Sequence, residues 1–388
     1  MDGLHTEPDN AGPEDATQTL FFYGSLCHQP LLERVLGRRI LATDITETSL
    51  SGHKAYWVKG KAYPVILPCD GEKAHGLAVA NLSVEDRENL DFYEGGFSYK
   101  TQLVTLESGQ KALVFFANDT SLKRGTPWIL ADWVRQYGQM ALFAADEIMS
   151  YRDQFSVKDV SDRFNVIQMR AWTKVLAQRP QAEGPGFAMG REDIKVLRAG
   201  RPFNEFFAMD DLDVQFRKFS GEFSDVARRF IFKGTDAVIV LPYDPVRDRV
   251  LLVEQVRFGT YQRGADVNWT IEPVAGLIDP GESPEDAAKR ETQEEANVSL
   301  TKLIHTGSYY PSPGATTEYY HSYLGLCDLP DDVCGVSGVE EENEDIRSYL
   351  VSYQELMDLI DRKVGQVGPL YVLALWLARH RDSLRRNA

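Results

Sequence analysis

The chain has 388 residues, with 58 acidic against 42 Lys and Arg side chains and a formal net charge of -16. That balance excludes sequence-independent binding to nucleic acid, which needs a basic surface to displace counterions, yet it leaves room for nucleotides whose phosphates are met through metal ions. The length suits two ordinary domains; Cys27, Cys69, Cys327 and Cys334 form no C-x-x-C pair and are too scattered for a disulfide framework; and no apolar run approaches the ~18 residues of a spanning helix.

In chain order, residues 1–17 are acidic and polar with no basic or apolar segment, so a disordered tail is expected and neither a signal peptide nor a membrane anchor. A cytoplasmic protein with reduced thiols follows as the expectation. Thr19–Tyr23 reads as a buried strand that runs into Gly24-Ser25-Leu26 and then a helical pattern from Pro30 to Leu36. Such a strand, turn and helix points backbone N–H groups into a concavity suited to a carboxylate or phosphate. Short strands are expected at His53–Val58, Tyr63–Leu67, His75–Asn81, Tyr99–Leu106 and Lys111–Ala117. Between the third and fourth lies a helix capped by Ser83 and ended by Gly95-Gly96, with Glu94 in its last turn. There the negative end of the helix dipole disfavours ionisation, which suits a general base better than it suits stability.

Tyr23-Gly24-Ser25-Leu26, Tyr63-Pro64-Val65-Ile66 and Leu90-Asp91-Phe92-Tyr93-Glu94-Gly95 resemble the gamma-glutamylcyclotransferase family, over roughly Leu20 to Met149. The resemblance implies a small β-barrel with helices. It also implies that the amides of Gly24, Ser25 and Leu26 hold a glutamyl carboxylate. Glu94 would take a proton from the alpha-amine, which attacks the gamma-carbonyl and releases 5-oxoproline. A binding-only domain is the alternative.

From Trp128 the pattern turns helical over Ile129–Met149 and again over Asp162–Gln178, where Phe164, Ile167, Ala171 and Val175 recur at core spacing. Arg179–Gly190, rich in Pro, Gly, Ala and Gln, reads as a linker. The expected organisation is a tail at 1–17, a first domain at 18–150, a helical connector and linker at 151–190, and a second domain at 191–388.

Strands are expected beyond it at Ile194–Arg198, Phe206–Phe219, Ala237–Leu241 and Val250–Val256, the last ending at Arg257, which suits either a phosphate or a surface ion pair. Gly276–Val298 is the most informative stretch. Ser283 caps a helix with Pro284 at its first position, and Glu291, Glu294 and Glu295 fall on one face at spacings of three and four. Like charges crowded in this way imply a missing cation, of the hard divalent kind that takes oxygen ligands. Glu340, Glu341, Glu342, Glu344 and Asp345 form a second acidic cluster before a strand at Ile346–Val351, and a helix from Pro369 to Arg379 caps the core.

Gly276, Glu282, Arg290, Glu291, Glu294, Glu295 and Val298 match the Nudix signature G-x5-E-x7-R-E-U-x-E-E-x-G-U, in which U is apolar. Thr292 stands where an apolar residue is usual and Asn297 where the last glycine is, and Asn is the best substitute in a left-handed cap. Within that family the chain is most similar to ADP-ribose pyrophosphatases, on Asp244-Pro245-Val246-Arg247-Asp248, Glu254-Gln255-Val256-Arg257, Ser312-Pro313-Gly314 and Glu342-Asn343-Glu344-Asp345-Ile346. The similarity implies an α/β/α sandwich and Mg2+-dependent hydrolysis of ADP-ribose to AMP and ribose 5-phosphate, with Mn2+ as a substitute ion. Glu291, Glu295, the carbonyl of Ala275 and Glu344 would ligate the metal, with Glu294 and Glu282 close by. Glu342 would be the base, Arg290 would orient the glutamates and Arg257 would meet phosphate. Phe206 or Phe207 would stack on adenine, in a homodimer formed through this domain. Another nucleotide diphosphate sugar as substrate, or a non-catalytic nucleotide sensor, are the alternatives.

Overall fold

The structure is a computed structural model that describes residues 18–95, 99–118, 122–178, 189–339, 343–362 and 367–387. The expected tail, most of the linker, Gly96 and the cluster Glu340, Glu341 and Glu342 lie outside the described residues. The chain divides into two compact units, Met1–Gln178 and Arg179–Ala388. No described helix is long and apolar enough to cross a membrane.

The first unit follows β1 (Gln18–Phe22), α1 (Gln29–Leu36), β2 (Ile45–Val58), β3 (Pro64–Leu82), α2 (Val84–Glu94), β4 (Tyr99–Thr105), β5 (Lys111–Ala117), β6 (Arg124–Pro127), α3 (Leu130–Trp133), α4 (Gln139–Met149), α5 (Val157–Asp162) and α6 (Phe164–Leu176). Its sheet runs β4-β5-β1-β3-β2-β6, with β1 parallel to β5 and antiparallel to β3. Strands β4 and β6 stand at its ends and do not pair with each other among the described residues. Two strands expected at Tyr63–Leu67 and His75–Asn81 are one: β3 carries the polar run Asp70–Lys73 through its middle, paired to β2 along most of its length. The pair shifts register between Ser51 and His53, where Gly52 is left-handed at φ 70 and absorbs the irregularity.

Phe21 and Leu20 point to opposite sides of β1, as alternation requires, and each enters a separate apolar cluster. Leu20 packs with Leu31, Leu32 and Val35 of α1 and with Ala141 and Ala145 of α4. The helical stretch at 130–149 is interrupted by a π-turn at Val134–Gly138. Helix α6 falls in the stretch read as a connector, and in the structure it packs on α4, with Ile167 and Ala171 against Met140, Ala144 and Ile148.

The second unit follows β7 (Ile194–Asn204), β8 (Ala208–Phe216), β9 (Ala227–Lys233), β10 (Asp236–Asp244), β11 (Arg249–Val256), α7 (Phe258–Arg263), β12 (Trp269–Glu272), β13 (Val274–Leu277), α8 (Pro284–Ala296), β14 (Lys302–Tyr309), β15 (Tyr319–Leu326), β16 (Val336–Ser337), β17 (Ile346–Ser352), α9 (Tyr353–Asp361) and α10 (Gly368–Arg386). Strands β7-β8-β9 form their own sheet, and the larger sheet runs β14-β15-β10-β11-β17-β16 with β12 and β13 attached to β11 and β10. Every residue of β10 is buried, because both faces of this central strand are covered. Ile239, Leu241 and Tyr243 meet Leu370, Leu373 and Leu377 of α10, while α8 packs on β10 and β13. The result is the expected α/β/α sandwich in the second unit; the first unit is a mixed sheet with helices. Phe206 and Phe207 fall in the turn between β7 and β8, and Phe219 is 99% exposed, so the long strand expected at 206–219 is shorter at both ends.

Candidate active sites

In the first unit, β1 delivers the chain into a 3-10 turn at Ser25–Cys27, closed by Cys27 N–H to the Gly24 carbonyl (3.0 Å) and His28 N–H to that of Ser25 (2.9 Å). The N–H groups of Ser25 and Leu26 precede the first donor of that turn, as at any helix start. A Cβ at Gly24 would lie 2.7 Å from Cγ of Pro64, so the two quoted motifs meet here and only glycine fits. Helix α2 is fixed by a capping box in which Ser83 Oγ accepts from Asp86 N–H (3.1 Å) and Asp86 accepts from Ser83 N–H (2.8 Å). Glu94, its last residue, faces the same pocket as Gly24, Ser25 and Leu26.

That pocket is largely aromatic, with Tyr23, Tyr63, Tyr93, Tyr99, Phe115 and Trp133 in its wall. Burial pushes Glu94 up to about 7, and burial together with Glu94 raises the phenols of Tyr23, Tyr93 and Tyr99. Tyr23 donates to the Phe115 carbonyl at 2.9 Å. A carboxyl poised between its two forms, opposite unspent amides, can accept a proton from an ammonium group at neutral pH. Phe164 and Gln168 of α6 also line the pocket; the helical spacing of Phe164 suggested core packing, no sequence signal marked Gln168, and nothing in the sequence placed either here.

In the second unit, Ser283 Oγ accepts from Asp286 N–H at 3.1 Å and starts α8 at Pro284, while Asn297 ends it at φ 53 and ψ 34. Thr292 is fully buried and donates to the Ala288 carbonyl at 2.7 Å, which satisfies its hydroxyl within the helix. Arg290 gathers the acidic residues: Nη1 contacts Glu291 (2.6 Å) and Glu294 (3.0 Å), Nε and Nη2 hold Glu282 (3.0 and 2.9 Å), and Nη2 reaches the Leu277 carbonyl (3.0 Å). Glu295 is 2% exposed and accepts from Ala275 N–H (3.0 Å) and Gln255 (3.3 Å). Glu344 accepts from Val339 N–H at 3.1 Å, beside Asn343 in the left-handed region.

Burial raises Glu291 to about 7 and Glu295 to about 8, and Glu344 adds to both. Among the described residues no three His, Cys, Asp or Glu side chains already converge as a metal site. Arg290 instead draws three carboxylates onto its own guanidinium. The donor set nevertheless fits a hard divalent cation: it is all oxygen, its carboxylates raise one another, and Gly276 leaves a cradle for the Glu291 carboxyl that any Cβ would fill. Arg257 is held by Glu272 through two bonds of 2.9 and 2.6 Å. Thr270 donates to the same carboxylate. Phe207 packs between Phe206 and Phe232, and Glu342 lies outside the described residues. Nothing in the sequence singled out Gln255 or Glu272 as partners of the predicted residues.

A carboxylate-faced helix laid on the sheet of an α/β/α sandwich, with an arginine set among its carboxylates, defines the second unit as a hydrolase of the kind that uses divalent metal. The family model described as NUDIX domain matches residues 233–371, and that described as Gamma-glutamyl cyclotransferase, AIG2-like matches residues 20–135. ADP-ribose pyrophosphatase of Escherichia coli (strain K12) is 34% identical over 199 residues, 51% of this chain and 94% of that protein. ADP-ribose pyrophosphatase of Haemophilus influenzae is 35% identical over 205 residues, covering 51% and 93%, and GDP-mannose pyrophosphatase of Escherichia coli O9:H4 is 26% identical over 176 residues, covering 45% and 89%. The chain belongs to the Nudix family: its C-terminal half is a Nudix hydrolase, fused to a gamma-glutamyl cyclotransferase-like first domain.

Proposed function

We propose that the second unit hydrolyses ADP-ribose to AMP and ribose 5-phosphate with Mg2+ as its ion. The observation that carries this reading is the match to ADP-ribose pyrophosphatases along nearly their whole length, together with Glu291, Glu294 and Glu295 on one helix. Glu291, Glu295, the Ala275 carbonyl and Glu344 would hold the cation, with Glu294 and Glu282 close by. A divalent ion bound there neutralises charge on the pyrophosphate and on the attacking water. Arg290 fixes the direction of Glu282, Glu291 and Glu294. Arg257, turned by Glu272, meets a phosphate oxygen, and Glu342 takes the proton from water as its oxygen bonds to phosphorus and the bridging P–O bond breaks. Incubation with ADP-ribose and Mg2+ tests this: AMP should form, and Glu295→Gln should abolish it. Binding without turnover, unchanged by Glu295→Gln, would favour a sensor. The likeness to a protein described as a GDP-mannose pyrophosphatase supports a second reading, a different nucleotide sugar, which a substrate panel separates.

The second unit acts as a homodimer on this reading, supported by exposed Ile194, Val196, Leu197, Phe203, Phe216 and Phe230 on the small sheet. Sedimentation at several concentrations tests it, with a monomer as the adverse result. For the first unit, the convergence of Glu94 with the Gly24–Leu26 turn in one pocket supports cyclotransfer. The turn amides hold the alpha-carboxylate, and Glu94 takes a proton from the alpha-ammonium. The freed nitrogen bonds to the gamma-carbonyl carbon and gives up a second proton as it becomes the lactam N–H, the gamma C–N bond breaks, and the departing nitrogen takes both protons and leaves as an ammonium. Release of 5-oxoproline from gamma-glutamyl amides, absent in Glu94→Gln, tests it.

A further inference from the structure

Helix α6 lies beyond the 20–135 stretch that matches the cyclotransferase family, yet Phe164 and Gln168 form part of the wall of the Glu94 pocket. Spaced three and four apart, Phe164, Ile167, Gln168 and Ala171 share one helix face, the face that packs on α4: Ile167 and Ala171 are buried against Met140, Ala144 and Ile148, and Phe164 and Gln168 reach the pocket along its edge. A buried ion pair fixes this arrangement. Arg170 contacts Glu147 of α4 at 2.5 and 3.0 Å, their side chains are 2% and 5% exposed, and Tyr151 adds a bond of 3.1 Å to the same oxygen. Gln168 and Phe164 are therefore presented to the pocket by a helix that is clamped, and neither is a frayed surface residue.

Glu94 is the one charged side chain among the described lining residues. Gln168 brings a neutral carboxamide with two donors and an acceptor, half-buried and making no hydrogen bond among the described residues. If cyclotransfer is the reaction, the turn amides and Glu94 engage the two charged groups of the glutamyl half. What remains to be read is the departing amine half, and among the lining residues outside the 20–135 match, Met140, Ala141 and Ala144 of α4 with Phe164 and Gln168 of α6, Gln168 is the one polar side chain. An anionic group there would find no cation in the lining and would face Glu94.

We propose that α6 is the specificity wall of this pocket: Gln168 contacts the departing amine half of a gamma-glutamyl amide and, being neutral, selects an uncharged or cationic amine over one bearing a carboxylate. The proposal rests on the cyclotransferase reading. The test uses the full chain and three substrates, gamma-glutamyl-n-butylamide, gamma-glutamyl-1,4-diaminobutane and gamma-glutamyl-4-aminobutyrate, with 5-oxoproline release as the readout. Gln168→Glu should raise the kcat/KM ratio of the diamine to the aminobutyrate substrate by roughly tenfold, as a single screened charge contact does, and Gln168→Lys should reverse it. A misfolded variant could not produce opposite shifts.

Ratios unchanged in both variants, with the wild type active, would overturn the proposal and leave the cyclotransferase reading standing. If the wild type releases no 5-oxoproline from any of the three, that reading fails, and calorimetry with gamma-glutamyl-n-butylamide decides the wall separately. Binding weakened roughly tenfold in Gln168→Lys, the loss of a hydrogen bond to ligand, would support it. Equal binding, or none by any form, would overturn it.

Discussion

A Cβ placed on Gly276 would sit 1.9 Å from Cδ of Glu291 and 2.0 Å from its Oε1. Strand β13 thus presses bare backbone against the carboxyl that α8 aims at it, and the space is set by the missing side chain. Gly276→Ala must push Glu291 aside, and with it the bond to Arg290 at 2.6 Å. Displacing a group that orients a ligand costs about 10–100-fold in metal affinity or activity, and we expect a loss of nucleotide-sugar hydrolysis in that range. Circular dichroism should remain that of the wild type; unchanged kcat/KM would show that Glu291 does not depend on the cradle.

Glu295 is buried with a fixed pair of donors, and it carries the largest upward pressure of the acidic residues on α8, to about 8. A bound cation relieves that pressure. Adding Mg2+ to metal-free protein should raise the melting temperature of the second unit, since ligand at a hundredfold over its Kd stabilises by about 2.7 kcal/mol. Chelation should reverse the shift and stop hydrolysis together. In Glu295→Gln the shift should vanish; a shift of full size would place the ion elsewhere.

The helix at 284–296 was legible because its signals are local: Ser283 as cap, Pro284 at the first turn, three glutamates at helical spacing and Asn297 in the left-handed cap. The two sheets were less so. Gly52 and the polar run at Asp70–Lys73 read as breaks, yet β2 and β3 run past both, because pairing between long strands tolerates a bulge that sequence cannot distinguish from a turn. Glu272 and Gln255 were invisible as site residues, since their roles come from long-range register: β12 pairs with β11 so that Glu272 reaches Arg257. For the same reason nothing in the sequence marked Gln168, whose place in the pocket wall depends on how α6 packs on α4.

The Arg170–Glu147 pair makes a stability prediction. Removing one partner leaves the other charge buried and uncompensated, which costs about 3–5 kcal/mol. Arg170→Ala should therefore lower the unfolding free energy of the first unit by about that amount in denaturant titration. Replacing both residues with leucine should come much closer to the wild type, because the desolvation of both charges is removed at once. A single variant that unfolds like the wild type would mean that water reaches the pair.

Glu94 yields a prediction about pH in which the sign is opposite to that of an ion-paired carboxylate. Burial lifts it from an ordinary 4.5 to about 7, so the folded state holds the proton more tightly than the unfolded chain does. Below pH 4.5 both states are protonated and Glu94 brings no penalty. Between there and about 7 the unfolded chain releases its proton first, and stability of the first unit falls as pH rises. Above that the penalty is constant, because the native state now carries a buried charge. Glu94→Gln should accordingly melt at the wild-type temperature near pH 4 and above it at pH 8. Catalysis runs the other way: the base must be ionised, so kcat/KM for 5-oxoproline release should climb through about pH 7 and level off. A melting difference independent of pH, or a rate already level at pH 5, would show that Glu94 titrates like a solvated carboxylate and that the aromatic wall does not desolvate it.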